Sequence, residues 1–292
     1  MGKDRLDGTG FAALLAVTLL LAFNQILVKY VNQGIQPVFF AGLRSALAIL
    51  FVALWLWLRG RPPRFERASL AAGLLIGVAF SAEFLFLFIA LDLTTVGRSA
   101  LIMYSMPVWM GVLAHFYLPG ERLTPLKAAG LGLAFAGTTW AILSKNASGQ
   151  PSVLGDICAL FAAWGWAGTA FVARKSRLRA AGPEAQLFWM VLVSAPLLLV
   201  ASFFFGPFLR DIQPVHWLWV VFQAGVVVAG GFITWLWLLS VYPTSTVASF
   251  SFLTPIFAIF LGHVIFGELL SPSLIGAAAL VSLGIVLVNR RV

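Results

Sequence analysis

The sequence predicts an all-α integral membrane protein: ten transmembrane helices arranged as two inverted five-helix repeats around a central cavity. Three observations predict it. The chain is 61% hydrophobic and only 10% charged over 292 residues, a balance that water-soluble domains do not have. Apolar runs near the ~20 residues needed to cross a ~30 Å hydrocarbon layer recur along its whole length. One pattern occurs twice, about 148 residues apart. Strand barrels, the other way to cross lipid, would show alternating segments of ~10 residues. The runs here are continuous and twice that long, so helices are expected.

The ten runs lie at roughly 10–31, 37–58, 68–91, 96–117, 125–144, 152–173, 184–205, 214–239, 244–266 and 272–289. The first follows Lys3 and Arg5, like a secretion signal. It is too long for one and no small-residue cleavage site follows, so a retained span is expected. Pro107 and Pro255 fall near the middle of the fourth and ninth runs and should bend or break them. Thr124-Pro125 and Ser271-Pro272 place a hydroxyl at the cap and proline at the first helical position of the fifth and tenth. Glycines within the runs, as at Gly73, Gly77, Gly165 and Gly168, suit close packing of helices in lipid.

The repeat pairs Pro107 with Pro255, His115 with His263, and Glu121 with Glu268 after a one-residue gap. It divides the chain into a first five-helix unit at 10–144 and a second at 152–289, joined by a polar linker at 145–152. Five is odd, so the second unit enters the membrane from the opposite side. Inverted repeats of this kind enclose a shared site in many transporters.

The net charge of +9 is explained by its placement. With the N-terminus cytoplasmic, fourteen Lys and Arg residues fall on inside segments, among them Arg59, Arg174, Lys175 and Arg290. Only Lys29, Arg98, Lys145 and Arg210 fall at the outside ends. That is the positive-inside bias of a plasma (inner) membrane protein with both termini cytoplasmic. The basic charge therefore implies contact with membrane lipid and no nucleic-acid partner. Cys158 is the sole cysteine, so no intrachain disulfide is available.

No HExxH, GxSxG or phosphate loop occurs, and paired carboxylates are missing, so an enzyme is not expected. His and Cys are too scarce for a metal centre, and no cofactor is implied. Inversion places His115 and His263 at opposite membrane surfaces, where they cannot share a metal. Nothing supplies the ring of charges or carbonyls that a channel needs. A small-molecule substrate is the expected partner; oligomeric state has no signal.

Ionisable groups within spans are costly and mark function by default. Lys29, Arg44 and Glu83 lie toward one face of the membrane. They are candidates for coupling or for an ion-pair network that holds that half together. In the functional reading Glu83 takes up protons or binds an ammonium, and Arg44 or Lys29 attracts a carboxylate. Asn24, Tyr104 and Thr234 are polar candidates for substrate contact near mid-membrane. Phe80, Trp109, Trp164, Trp235 and Phe250 are aromatic candidates on spans expected to line the cavity. Such a lining suits a planar apolar group or a flat cation. Pro107 and Pro255 are candidate gates. Glu121 and Glu268 follow glycines in loops and are expected to bind backbone N–H groups.

The segment at 100–137, Ala-Leu through Pro107 to Gly120-Glu121-Arg122-Leu123-Thr124-Pro125 and Gly137, and its partner at 248–284 resemble the EamA-type branch of the drug/metabolite transporter superfamily. Trp164-Gly165 followed by Arg174-Lys175 looks like the start of that family's second domain. Phe23-Asn24 stands where the first domain usually has Trp-Gly. The resemblance covers nearly the whole chain. It implies ten helices, cytoplasmic termini and alternating access through a central cavity. A narrower resemblance is to the YddG-type exporters of aromatic amino acids. This implies export of small amphipathic metabolites, with multidrug or organic-cation efflux as the alternative.

Overall fold

The apolar runs fold as helices. A computed structural model of the chain describes residues 7–60, 67–118, 124–144, 152–242, 250 and 253–289. Glu121, Arg122, the 145–151 linker and the charged termini lie outside these residues. Helix α1 (Gly8–Val31) is capped by Asp7, whose carboxylate accepts from the Gly10 N–H at 2.8 Å. Helix α2 (Pro37–Leu58) begins on a proline, with the Gln36 side chain accepting from the Phe39 N–H at 3.0 Å. Helix α3 (Arg67–Leu93) runs without a break.

The fourth run is two helices, α4 (Val96–Met103) and α5 (Met106–Tyr117), with Tyr104 and Ser105 between them. Pro107 therefore stands in the first turn of α5, where its missing N–H breaks no helical bond. The expected bend is a stop and a restart. Helix α6 (Pro125–Leu143) starts as its Thr-Pro pair predicts: the Thr124 hydroxyl accepts from the Lys127 N–H at 3.3 Å. Then come α7 (Val153–Lys175), the single turn α8 (Leu178–Ala181) and α9 (Pro183–Ser202).

The eighth run, which the sequence predicts as one α-helix, is π-helical in its middle. Helix α10 (Pro214–Phe222) leads into a π segment, Gln223–Gly231, and then α11 (Phe232–Val241). Helix α12 (Leu253–Phe266) holds Pro255 buried near its start. Helix α13 (Pro272–Asn289) starts with the Ser271 hydroxyl accepting from the Leu274 N–H at 3.2 Å. Among the described residues, 8 helices are long and apolar enough to cross a membrane. The ninth and tenth runs appear as shorter apolar helices, at Leu253–Phe266 and Pro272–Val288. The backbone forms one isolated antiparallel bridge among the described residues, between Ile35 and Leu209.

Helix α3 packs on α7 and α9, α2 on α9, α6 on α13, and α1 on α12. Lipid offers apolar groups as good an environment as protein does, so such contacts rely on close fit. Where α6 meets α13 the backbones touch: a Cβ added at Gly284 would come within 2.5 Å of the Gly130 carbonyl oxygen. Where α7 meets α3, a Cβ at Gly165 would lie 2.6 Å from the Glu83 backbone nitrogen. Gly165 thus lets α7 press against α3 at the level of Glu83, the acid in the middle of that helix. Between α2 and α3, Phe40, Phe84 and Phe88 interlock, with ring centroids 5.0 Å apart for Phe40–Phe88 and 6.0 Å for Phe84–Phe88.

Candidate functional site

A cavity of about 140 Å³ opens where α1, α2, α3, α4, α7 and the π segment converge. Each helix contributes one face, at helical spacing. Helix α1 gives Leu21, Asn24 and Gln25, α2 gives Arg44, and α3 gives Glu83, Phe84 and Leu87. Met103 and Tyr104 enter at the break between α4 and α5, and Trp166 comes from α7. Val227 and Gly231 of the π segment continue into Phe232 and Trp235 of α11. A π turn inside an α-helix is rare and tends to occur at functional sites, where it re-aims the side chains that follow.

The polar groups here are deeply buried. Arg44 is 1% exposed and Glu83 4%, and the two attract each other electrostatically. The Arg44 guanidinium lies 3.9 Å from the Phe84 ring centroid and 5.0 Å from that of Phe88. Its Nε and Nη2 have no hydrogen-bond partner among the described residues, nor do Asn24 Oδ1 and Gln25 Oε1. Buried polar atoms of this kind are rare in folded proteins and need an explanation. Tyr104 meets Trp166 edge to face at 5.4 Å. The site thus offers a guanidinium, a carboxyl and two amides, surrounded by aromatic rings.

The structure distributes the predicted site residues unevenly. Asn24, Arg44, Glu83, Tyr104 and Trp235 line the cavity. Phe80 lies beneath it, packed on Phe84 at 4.5 Å. Trp109 and Trp164 sit together at 5.2 Å on the far side of α5 and α7, and Trp164 is 43% exposed. The Thr234 hydroxyl donates back to the Gly230 carbonyl, and Phe250 packs on Phe11. Sequence reasoning selects Trp164 where Trp166 faces the cavity. Two residues is about half a helical turn, so the two rings point to opposite faces. Gln25 and Phe84 are the chain neighbours of Asn24 and Glu83, and Leu87 lies four positions along the Glu83 face, so all three could have been found by extending those two positions.

Lys29 lies at the end of α1, in a polar network away from the cavity. Its Nζ donates to the Thr94 carbonyl at 2.6 Å and stands 3.6 Å from Glu268 Oε1. Glu268 accepts from the Val96 and Gly97 N–H groups at 2.7 and 3.1 Å, capping α4 from the α12–α13 connection. That is the backbone-binding role expected of it. Gly267, with φ of 68°, makes the left-handed turn that returns Glu268 toward α4. Arg98 is buried on Asp156 and also donates to the Ser144 carbonyl at 2.9 Å. Arg210 pairs with both Asp92 oxygens, at 2.7 and 3.0 Å. These bonds tie the helices together at the Lys29 end of the bundle. Glu268→Ala is expected to cost about 1–2 kcal/mol, the scale of a lost helix cap. A lower melting midpoint in detergent checks this; an unchanged midpoint would show that the cap contributes nothing.

The sequence profile of the EamA-like transporter family matches residues 8–143 and again 153–290. A multi-pass helical bundle with a buried polar and aromatic cavity, matched over nearly its full length, defines a membrane transporter. The chain belongs to the EamA-like transporter family. It is similar to the uncharacterized transporter YoaV of Bacillus subtilis (strain 168), 24% identical over 93% of this chain and 94% of that protein. The uncharacterized transporter YvbV of the same organism is 28% identical over 98% and 94%. A probable amino-acid metabolite efflux pump of Escherichia coli (strain K12) is 28% identical over 85% and 83%. A solved crystal structure of a protein 22% identical shares the fold, with a TM-score of 0.68 over 96% of this chain and 97% of that one.

Proposed function

We propose that the chain is a secondary carrier in the plasma (inner) membrane that exports small amphipathic metabolites, chiefly amino acids and especially aromatic ones, by alternating access. The observation that carries this reading is the cavity itself. Arg44, Glu83, Asn24 and Gln25 can bond a charged headgroup, and Phe84, Trp166, Phe232 and Trp235 can bury a ring. The Escherichia coli relative's description as a probable amino-acid metabolite efflux pump is consistent with it. Ten spans, with units at 10–144 and 152–289 inverted about a two-fold axis, supply the moving parts. Exchange of the halves maps the helix contacts onto themselves: α2 with α9 and α6 with α13 stay in place, and α1 with α12 becomes α7 with α4 and α5. That exchange supports the inverted repeat. Both termini are cytoplasmic in this arrangement, which puts the Lys29 network on the outside. Pro107 and Pro255 mark the equivalent gates.

A second reading, efflux of flat organic cations, is favoured by the same rings together with Glu83 and the amide oxygens. A ligand panel separates the two. A ligand that binds only the folded state at 100 times its Kd should stabilise it by about 2.7 kcal/mol. Aromatic amino acids are expected to raise the melting midpoint of the detergent-solubilised protein more than quaternary ammonium dyes do. The reverse order would favour the cation reading.

A further inference from the structure

We infer that the cavity recognises its cargo with two sets of polar groups, or poles, so that it takes free amino acids carrying both a carboxylate and an ammonium and rejects analogues lacking either. The inference rests on the amino-acid reading above and narrows it. Arg44 is the specificity-determining residue at one pole. The Phe84 and Phe88 rings lie 3.9 and 5.0 Å from its guanidinium carbon, where they hold the group by cation–π attraction. The two nitrogens without a partner among the described residues, Nε and Nη2, lie along one edge of the guanidinium. Those two N–H groups form a parallel fork that matches the two oxygens of a carboxylate.

The same protein shows that fork filled elsewhere. Arg98 presents Nε to Asp156 Oδ1 at 3.2 Å and Nη2 to Asp156 Oδ2. Arg98 has its carboxylate built into the fold; at Arg44 the matching edge is left for a ligand. The other pole is on α1 and α3. Asn24 Oδ1 and Gln25 Oε1 are buried acceptors without a partner among the described residues, and Glu83 lines the same cavity. These amide oxygens and the Glu83 carboxylate are acceptors for the three donors of an ammonium. Arg44 and Glu83 are already attracted to each other. A zwitterion exchanges that attraction for two new ones. An amine would compete with Arg44 for Glu83 and leave the fork unfilled, and an acid would do the converse. Sites built to bond a group discriminate strongly against ligands without it, because their own buried groups are left unpaired. A cavity of about 140 Å³ is near the ~150 Å³ that admits benzene, so the headgroup and a small side chain fit as it stands. A larger ring would require Trp235, Trp166 and Phe232 to yield.

The test uses the full chain in proteoliposomes, with L-phenylalanine, phenethylamine and 3-phenylpropionate as competitors of labelled tryptophan counterflow. Phenylalanine is expected to inhibit at concentrations at least about tenfold below either analogue. Equal inhibition by phenethylamine or 3-phenylpropionate, with counterflow intact, overturns the two-pole inference and leaves the amino-acid reading standing. Absence of counterflow with every amino acid tried overturns that reading, and the inference with it. Arg44→Lys keeps the charge and loses the fork. Its residual counterflow should distinguish phenylalanine from phenethylamine less well, and full retention of the distinction would overturn Arg44's role. The competitor series on the unaltered protein decides between one pole and two even if this variant does not fold.

Discussion

Asp156→Ala is expected to destabilise the protein by about 3–5 kcal/mol, because it leaves Arg98 charged, buried and without its carboxylate. Arg98 is 3% exposed and Asp156 1%, so water cannot substitute for the lost partner. The same carboxylate also takes a hydrogen bond from the Thr94 hydroxyl at 3.2 Å. Arg98 in turn bonds the carbonyls of Ser144 and Ile142, so the pair fastens α4, α6 and α7 at one point. The melting midpoint in detergent should fall sharply. Asp156→Asn should fall less, since its amide oxygen can still accept from Arg98. Equal midpoints for both variants and the unaltered protein would show that the pair contributes no net stability.

Glu83→Ala is expected to reduce transport at least about tenfold, equivalent to about 1.4 kcal/mol of lost transition-state stabilisation. This loss is expected whatever the cargo. An acid within a membrane helix is expensive and persists where it is used. Glu83 faces Arg44, lines the cavity, and lies where Gly165 brings α7 hard against α3. Transport rates per folded molecule, with folding followed by size-exclusion profile and melting midpoint, check the prediction. Normal rates in a correctly folded Glu83→Ala protein would reduce Glu83 to a packing partner of Arg44.

Much of this architecture is readable in the chain, for identifiable reasons. Apolar runs must satisfy their own backbone bonds in lipid, so their lengths and Pro, Thr and Ser punctuation announce helices and starts. Pro107 marks the break at Tyr104 and Ser105. The π segment carries no such mark: Gln223 to Gly231 reads as an ordinary apolar stretch, and the partners it packs against, α1 and α2, are distant in the sequence. Within the site, Arg44 and Glu83 are conspicuous because charge inside a span is costly. The aromatic wall is not, since a membrane protein has rings on every face. Trp164 is as apolar as Trp166, and only the helix phase separates the two. Arg98 counts in the sequence only as a topology marker. Its partner lies 58 positions away, and nothing local connects the two.

The most direct test of an aromatic amino-acid carrier is counterflow. The full chain is reconstituted into liposomes preloaded with unlabelled tryptophan, and uptake of labelled tryptophan is compared with that into empty proteoliposomes and protein-free liposomes. The predicted result is saturable uptake, accelerated by internal tryptophan and suppressed by external phenylalanine. Uptake by folded, reconstituted protein that equals the protein-free control, with no acceleration, would contradict it.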